Sequence, residues 1–128
     1  MHITGLYVAL AALLVVVLSI RVTLCRRALG ISLGDRDQKE LLKRVRAQAN
    51  AIEYLPLALL LLLSLEWNQT QTWILHTCGI VLIFARVSHA VALSISGSTS
   101  PGRAIGIALT WTVMLVMALL LIWQQIVR

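Results

Sequence analysis

A chain of 128 residues with 59% hydrophobic residues, 12% charged residues and a mean hydropathy of +0.89 has more apolar surface than a soluble domain of its size can hide. Lipid is therefore its expected solvent. The net charge of +6 does not read as a nucleic-acid footprint, because most basic residues fall between two apolar runs and the Trp and Phe residues lie mostly inside those runs.

A spanning helix needs about 20 mostly apolar residues, and four segments approach that length. The first is Ile3 to Ile20, closed by Arg21. No basic residue precedes it and no small-residue cleavage pattern follows it, so it reads as a retained helix and not a signal peptide. A polar stretch continues to about Gln48, with Gly30 and Gly34 marking a turn and Asp35 or Asp37 available to cap a new helix. Cys25, beside Arg26 and Arg27, reads as a small residue at a helix end. It stands at a different depth from Cys78, and neither sits in a metal-ligand spacing, so neither a disulfide within the chain nor a metal site is expected.

The second span runs from about Asn50 to Leu65, with its helix starting near Leu41. Residues 66–71 form a tight polar connection in which Trp67 suits the membrane interface. The third span is Thr72 to about Ser94. In the following loop Ser100 is an expected N-cap and Pro101 suits a first helical turn. The fourth span is Arg103 to Ile126, with Trp123 near its outer end. The expected fold is a single all-α domain, an antiparallel bundle of four transmembrane helices.

Arg21, Arg26, Arg27, Arg36, Lys39, Lys43, Arg44 and Arg46 lie in or beside the first connection and Arg103 flanks the third, while the second has no basic residue. Connections one and three are thus expected in the cytoplasm, with both termini on the other side.

Ionisable groups within a span are costly and usually face a protein or aqueous interior. Asn50, Glu53, Arg86 and His89 are the candidates. Two antiparallel helices joined by a tight turn bring residues equidistant from its centre to equal depth. With the centre between Gln69 and Thr70, Glu53 matches Arg86, Asn50 matches His89 and Arg46 matches Leu93. Arg46, Asn50 and Glu53 share one helix face, as do Arg86 and His89, so two polar stripes can meet. Position alone leaves two readings open: an ion pair of Glu53 with Arg86 that holds the hairpin together, or a ligand site.

The segment KRVRAQANAIEYLPL, Lys43 to Leu57, and the segment FARVSHA, Phe84 to Ala90, resemble the superfamily of membrane-associated proteins in eicosanoid and glutathione metabolism. Arg46, Asn50, Glu53 and Pro56 match its pattern R-x-x-x-N-x-x-E-x-x-P, and the similarity spans nearly the whole chain in helix order and length. The resemblance implies a trimer of four-helix bundles, with glutathione as co-substrate in a cleft between subunits near the cytoplasmic face. It implies glutathione contacts at Arg46, Asn50, Glu53, Tyr54, Arg86 and His89, and a further one at Arg26 or Arg27. Arg103 resembles the arginine that stabilises the thiolate in the leukotriene-forming branch. Leu93 departs from the pattern, standing where many family enzymes carry a Tyr that contacts glutathione. The short chain resembles a bacterial, inner-membrane member.

Chemistry points the same way. Glutathione carries two carboxylates and an ammonium group, so its site needs several cations and a carboxylate. Its thiol becomes a good nucleophile on ionisation, which a nearby guanidinium favours. The expected function is a glutathione-dependent transferase or peroxidase acting on lipophilic electrophiles that arrive from the bilayer. The alternative is a non-catalytic membrane protein that binds glutathione or lipid. A small four-helix exporter would be expected to carry a carboxylate in its first span, and Ile3 to Ile20 has none.

Overall fold

The computed structural model describes residues 3–95 and 101–127, and the expected cap at Ser100 lies outside them. Four helices follow in order: α1 (Ile3–Leu29), α2 (Lys39–Trp67), α3 (Thr72–Ile95) and α4 (Pro101–Val127). Each is long and apolar enough to cross a membrane, which makes the chain an all-α membrane protein.

α1 runs past the apolar span that Arg21 closes, and Cys25, Arg26 and Arg27 stand near its end, as the sequence indicates. It continues to Leu29, where Arg26 and Arg27 complement the carbonyl end of the helix dipole. Gly30 then turns left-handed at φ 63°, and the Gly30 and Ile31 N–H groups donate to the carbonyls of Arg27 and Arg26. This closes the helix with a Schellman motif. Polar contacts hold the extension: Arg21 donates to Ser94 Oγ at 2.9 Å, and Gln48 donates to Ser19 Oγ at 2.8 Å. The apolar run thus sets the membrane crossing without setting the helix end.

Neither Asp35 nor Asp37 caps α2. The N-cap is Gln38, with no side-chain bond to the helix, while Asp35 Oδ1 accepts the Asp37 N–H at 3.2 Å in a local turn. Arg36 and Asp37 both have positive φ, so the aspartates serve the connection itself. α2 carries Pro56, which has no N–H to give to the carbonyl of Ile52.

The α2 to α3 turn is centred where the sequence places it. Gln69 is left-handed at φ 56°, and the Gln69 and Thr70 N–H groups donate to the carbonyls of Glu66 and Leu65, a second Schellman ending. Glu66 does more than make this connection polar. Its carboxylate accepts the backbone N–H groups of Ile3 and Thr4, satisfying donors at the start of α1 that have no partner within the helix. Nearby, the Tyr7 hydroxyl meets His76 Nδ1 at 2.8 Å, and Gln124 donates to Thr70 Oγ1 at 2.8 Å. All four helices are therefore tied together at this end.

α2 and α3 each pack against one another and against both outer helices, whereas α1 and α4 do not touch. The buried seam runs through Leu55, Ala58, Leu62 and Leu65 of α2, Leu75, Cys78 and Leu82 of α3, and Met117 of α4. Cys25 and Cys78 are both buried, unpaired thiols. Large apolar residues such as Leu13, Leu60, Phe84 and Leu119 face outward, as hydrocarbon permits. Small residues bring the backbones close. A Cβ added to Gly79 would fall on the Tyr7 ring, and one added to Gly106 would lie 2.8 Å from both the Ala85 carbonyl oxygen and His89 Cβ.

The Gly106 contact involves backbone that cannot swing aside, so Gly106→Ala should push α4 from α3. We expect it to destabilise the detergent-solubilised protein by about 1 to 3 kcal/mol. Gly5→Ala, where an added Cβ meets nothing within 4 Å, should leave the thermal midpoint unchanged or slightly higher. Equal midpoints for the two variants would show that the close approach at Gly106 is not needed.

Candidate functional site

At the basic end of the bundle, α2, α3 and α4 enclose a cleft of about 370 Å³. α2 contributes Leu42, Lys43, Arg46, Ala49, Asn50 and Glu53, which recur at helical spacing along one face. α3 supplies His89 and Leu93, and α4 supplies Arg103 and Ile107. The depth matching along the hairpin thus holds in outcome: residues 46, 50 and 53 confront residues 89 and 93. The cleft has a cationic side of Lys43, Arg46 and Arg103, one carboxylate at Glu53, and an apolar wall of Leu42, Leu93 and Ile107.

Arg86 sits behind this wall, only 1% exposed. Nη1 donates to Asn50 Oδ1 at 2.6 Å and Nη2 to the Gly106 carbonyl at 3.2 Å. Its Cζ stands 5.4 Å from the centroid of the Tyr54 ring, within cation-π reach. The Gly106 carbonyl also accepts from Thr110 Oγ1 at 2.8 Å. Three helices are thereby joined through one guanidinium.

Of the two readings that position left open, the direct ion pair of Glu53 with Arg86 is not formed among the described residues. Glu53 is exposed and lines the cleft, while the Arg86 side chain bonds Asn50, about one helical turn from Glu53 on α2. Among the described residues the ion pairs are those of Glu40 with Lys43, at 3.9 Å, and with Arg44, at 2.9 Å. A carboxylate at position 53 points to where a ligand would sit, and the buried arginine takes neutral partners instead.

Of the residues singled out in the sequence, Arg46, Asn50, Glu53, His89 and Arg103 line one cleft, and Arg86 and Tyr54 stand behind it. Arg26 and Arg27 are not brought to it. Arg26 donates to the Gly34 carbonyl at 2.7 Å, and Arg27 lies with Ser19 and Thr23 on a separate face of α1. Sequence reading missed Lys43, which stands one turn from Arg46 and could have been found from that spacing. It also missed Gly106, whose carbonyl is a partner of Arg86; no local pattern marks a glycine for that use.

Fold and cleft together define a four-helix membrane protein with a charged, partly apolar cleft at its basic end. The chain belongs to the MAPEG family, whose model matches residues 4–123. It is 35% identical over 123 residues to the inner membrane protein YecN of Escherichia coli K12, with 96% of this chain and 92% of that protein covered. The protein of the same name in Escherichia coli O6:H1 strain CFT073 matches to the same extent.

Removing Arg86 strands Asn50 Oδ1 and takes a donor from the Gly106 carbonyl, so Arg86→Ala should cost about 3 kcal/mol or more of stability. Arg46→Ala, an exposed residue on the rim, should stay within about 0.5 kcal/mol of the parent. Thermal unfolding in detergent measures both. Similar midpoints for the two variants would show that the Arg86 network carries no stability.

Proposed function

We propose that this protein binds glutathione in the cleft between α2, α3 and α4 and uses its thiol against lipophilic electrophiles, as a membrane glutathione transferase or peroxidase. The observation that carries the reading is the donor set of the cleft. Lys43, Arg46 and Arg103 offer cations for two carboxylates, Glu53 offers a carboxylate for the ammonium group, and Asn50 and His89 offer hydrogen bonds. A volume near 370 Å³ falls in the range of about 300 to 1,000 Å³ usual for small-molecule sites. In the transferase reaction the thiolate sulfur attacks an electrophilic carbon and forms a C–S bond as the leaving group departs with its electron pair.

Arg103 is the residue assigned to the thiolate, because it opens α4 at the cleft and a guanidinium beside sulfur stabilises only the ionised form. On this reading the protein is a homotrimer in a bacterial inner membrane, and Arg26 and Arg27 serve the cleft of a neighbouring subunit. Both termini lie on the non-cytoplasmic side, since the basic first connection stays inside. Leu93 favours a second reading. It lines the cleft where many family enzymes present a Tyr, which removes a donor and suits a protein that binds glutathione or lipid without turning it over.

Conjugation of glutathione to chlorodinitrobenzene by the detergent-purified protein, together with calorimetric glutathione binding, separates these readings. Binding with turnover supports the transferase, and binding alone supports the second. For Arg103→Ala we expect glutathione affinity within a few-fold of the parent but a weaker near-ultraviolet thiolate absorbance, the thiolate fraction falling about tenfold for each unit by which the bound thiol pKa rises. An unchanged thiolate titration in Arg103→Ala would remove that residue from thiol activation.

Orientation is checked by cysteine labelling at Asp37 and Asn68, with Cys25 and Cys78 replaced by alanine. Asn68→Cys should react with an impermeant maleimide from outside intact cells and Asp37→Cys should not. The reverse pattern would invert the topology.

A further inference from the structure

Arg86 does not line the cleft, although it stands directly behind Asn50, which does. A guanidinium has only donors. Nη1 meets Asn50 Oδ1 at 2.6 Å, and Nη2 meets the Gly106 carbonyl, which the α4 backbone fixes in place. The Tyr54 ring holds the guanidinium from a further side.

An asparagine amide has an acceptor end and a donor end, and in most settings either can face a given neighbour. Here only one arrangement works. Turning the amide over would set the Nδ2 hydrogens against the N–H groups of Arg86, two donors facing each other without an acceptor between them. The oxygen of Asn50 is therefore committed to Arg86, and its NH2 group remains for the cleft that the residue lines.

We propose that Arg86 is a positioning residue that fixes the polarity of Asn50, so that Asn50 presents a donor to the cleft and selects a ligand group that accepts hydrogen bonds, a carboxylate or a peptide carbonyl. The inference rests on reading the cleft as the glutathione site, and it moves Arg86 from a ligand contact to the support of one. At 1% exposure the arginine reaches the ligand only through Asn50.

The test uses the full chain in detergent, with glutathione as the probe. Asn50→Asp keeps an acceptor for Arg86 but sets a carboxylate where the NH2 donor was. Its thermal midpoint should be preserved while glutathione affinity, measured by calorimetry, falls about tenfold or more. Parental affinity in Asn50→Asp overturns the proposal. A double-mutant cycle separates positioning from direct contact. Arg86→Gln should weaken glutathione binding in the parent but add nothing in an Asn50→Ala background, and an equal loss in both backgrounds overturns the proposal.

A readout without ligand keeps the two layers distinct. The chain has two asparagines, Asn50 and Asn68, so selective 15N-asparagine labelling gives two side-chain amide pairs, assigned with Asn68→Asp. The Asn50 pair should move in Arg86→Gln without ligand, and in the parent on addition of glutathione. If the parent binds no glutathione, the reading of the cleft fails, while an unmoved Asn50 pair in ligand-free Arg86→Gln overturns the positioning role by itself.

Discussion

A permanently charged guanidinium buried within a membrane bundle has to be satisfied by its own protein, and that requirement organises the basic end of this fold. Arginine keeps its proton under all ordinary conditions, so neutralisation is not available as an escape. The chain meets the demand at the two terminal nitrogens, with an amide from α2 and a main-chain carbonyl from α4, and sets the Tyr54 ring against the group, while Nε has no hydrogen-bond partner among the described residues. Each partner constrains its own helix. Asn50 must face α3, and Gly106 must be a glycine for the α4 backbone to come near enough to offer its carbonyl. The cleft is what remains in front of this arrangement once three helices have been fixed around Arg86.

The opposite end is built on a different principle. There a carboxylate, Glu66, closes the start of α1, and the Tyr7 with His76 and Gln124 with Thr70 contacts tie the helices near the tight turn. The Glu66 carboxylate at this end is used on main-chain donors, whereas Glu53 and Arg46 at the basic end face a cleft. The two ends divide polarity satisfied within the bundle from polarity that lines an open cleft. That division explains why the intramembrane carboxylate is not spent on the nearby arginine: a neutral amide satisfies Arg86 without desolvating a second charge, an expense buried ion pairs rarely recover.

The spans, the turn centre and the depth matching were legible in the sequence because each depends on features with a fixed period or length. About 20 apolar residues make a crossing, and helical spacing puts Arg46, Asn50 and Glu53 on one face. What could not be read depends on side-chain reach and on contacts between distant segments. Depth matching pairs Cα positions, but arginine is long enough to bypass its level partner, so the spacing leaves an ion pair with Glu53 open where Asn50 in fact takes the bond. Hydropathy alone closes the first span at Arg21, but the helix ends nearer Cys25, Arg26 and Arg27, where the sequence also places it, with a glycine ending at Gly30. The aspartate caps failed for a local reason, since Asp35 found a closer donor in Asp37.

The composition of the cleft also bears on the form of glutathione that would suit it. Lys43, Arg46 and Arg103 line the cleft against the single carboxylate of Glu53, with Glu40 beside Lys43 at 3.9 Å offsetting part of that positive charge. Glutathione with its thiol protonated carries a net charge of one negative unit, and the thiolate carries two. On the proposed reading, a predominantly cationic lining favours the thiolate, which carries the extra negative charge, over the thiol. Leu42, Leu93 and Ile107 make one wall apolar, and charges beside such a wall interact more strongly than they would in open water. Leu93 thus has two opposed consequences: replacing a Tyr removes a hydroxyl donor, while its hydrocarbon lowers the local dielectric and deepens the field of the remaining cations. If the proposed reading holds, binding selectivity and thiol ionisation are separable by substitution, the first resting on Asn50 and the support behind it, the second on the cationic lining of the cleft.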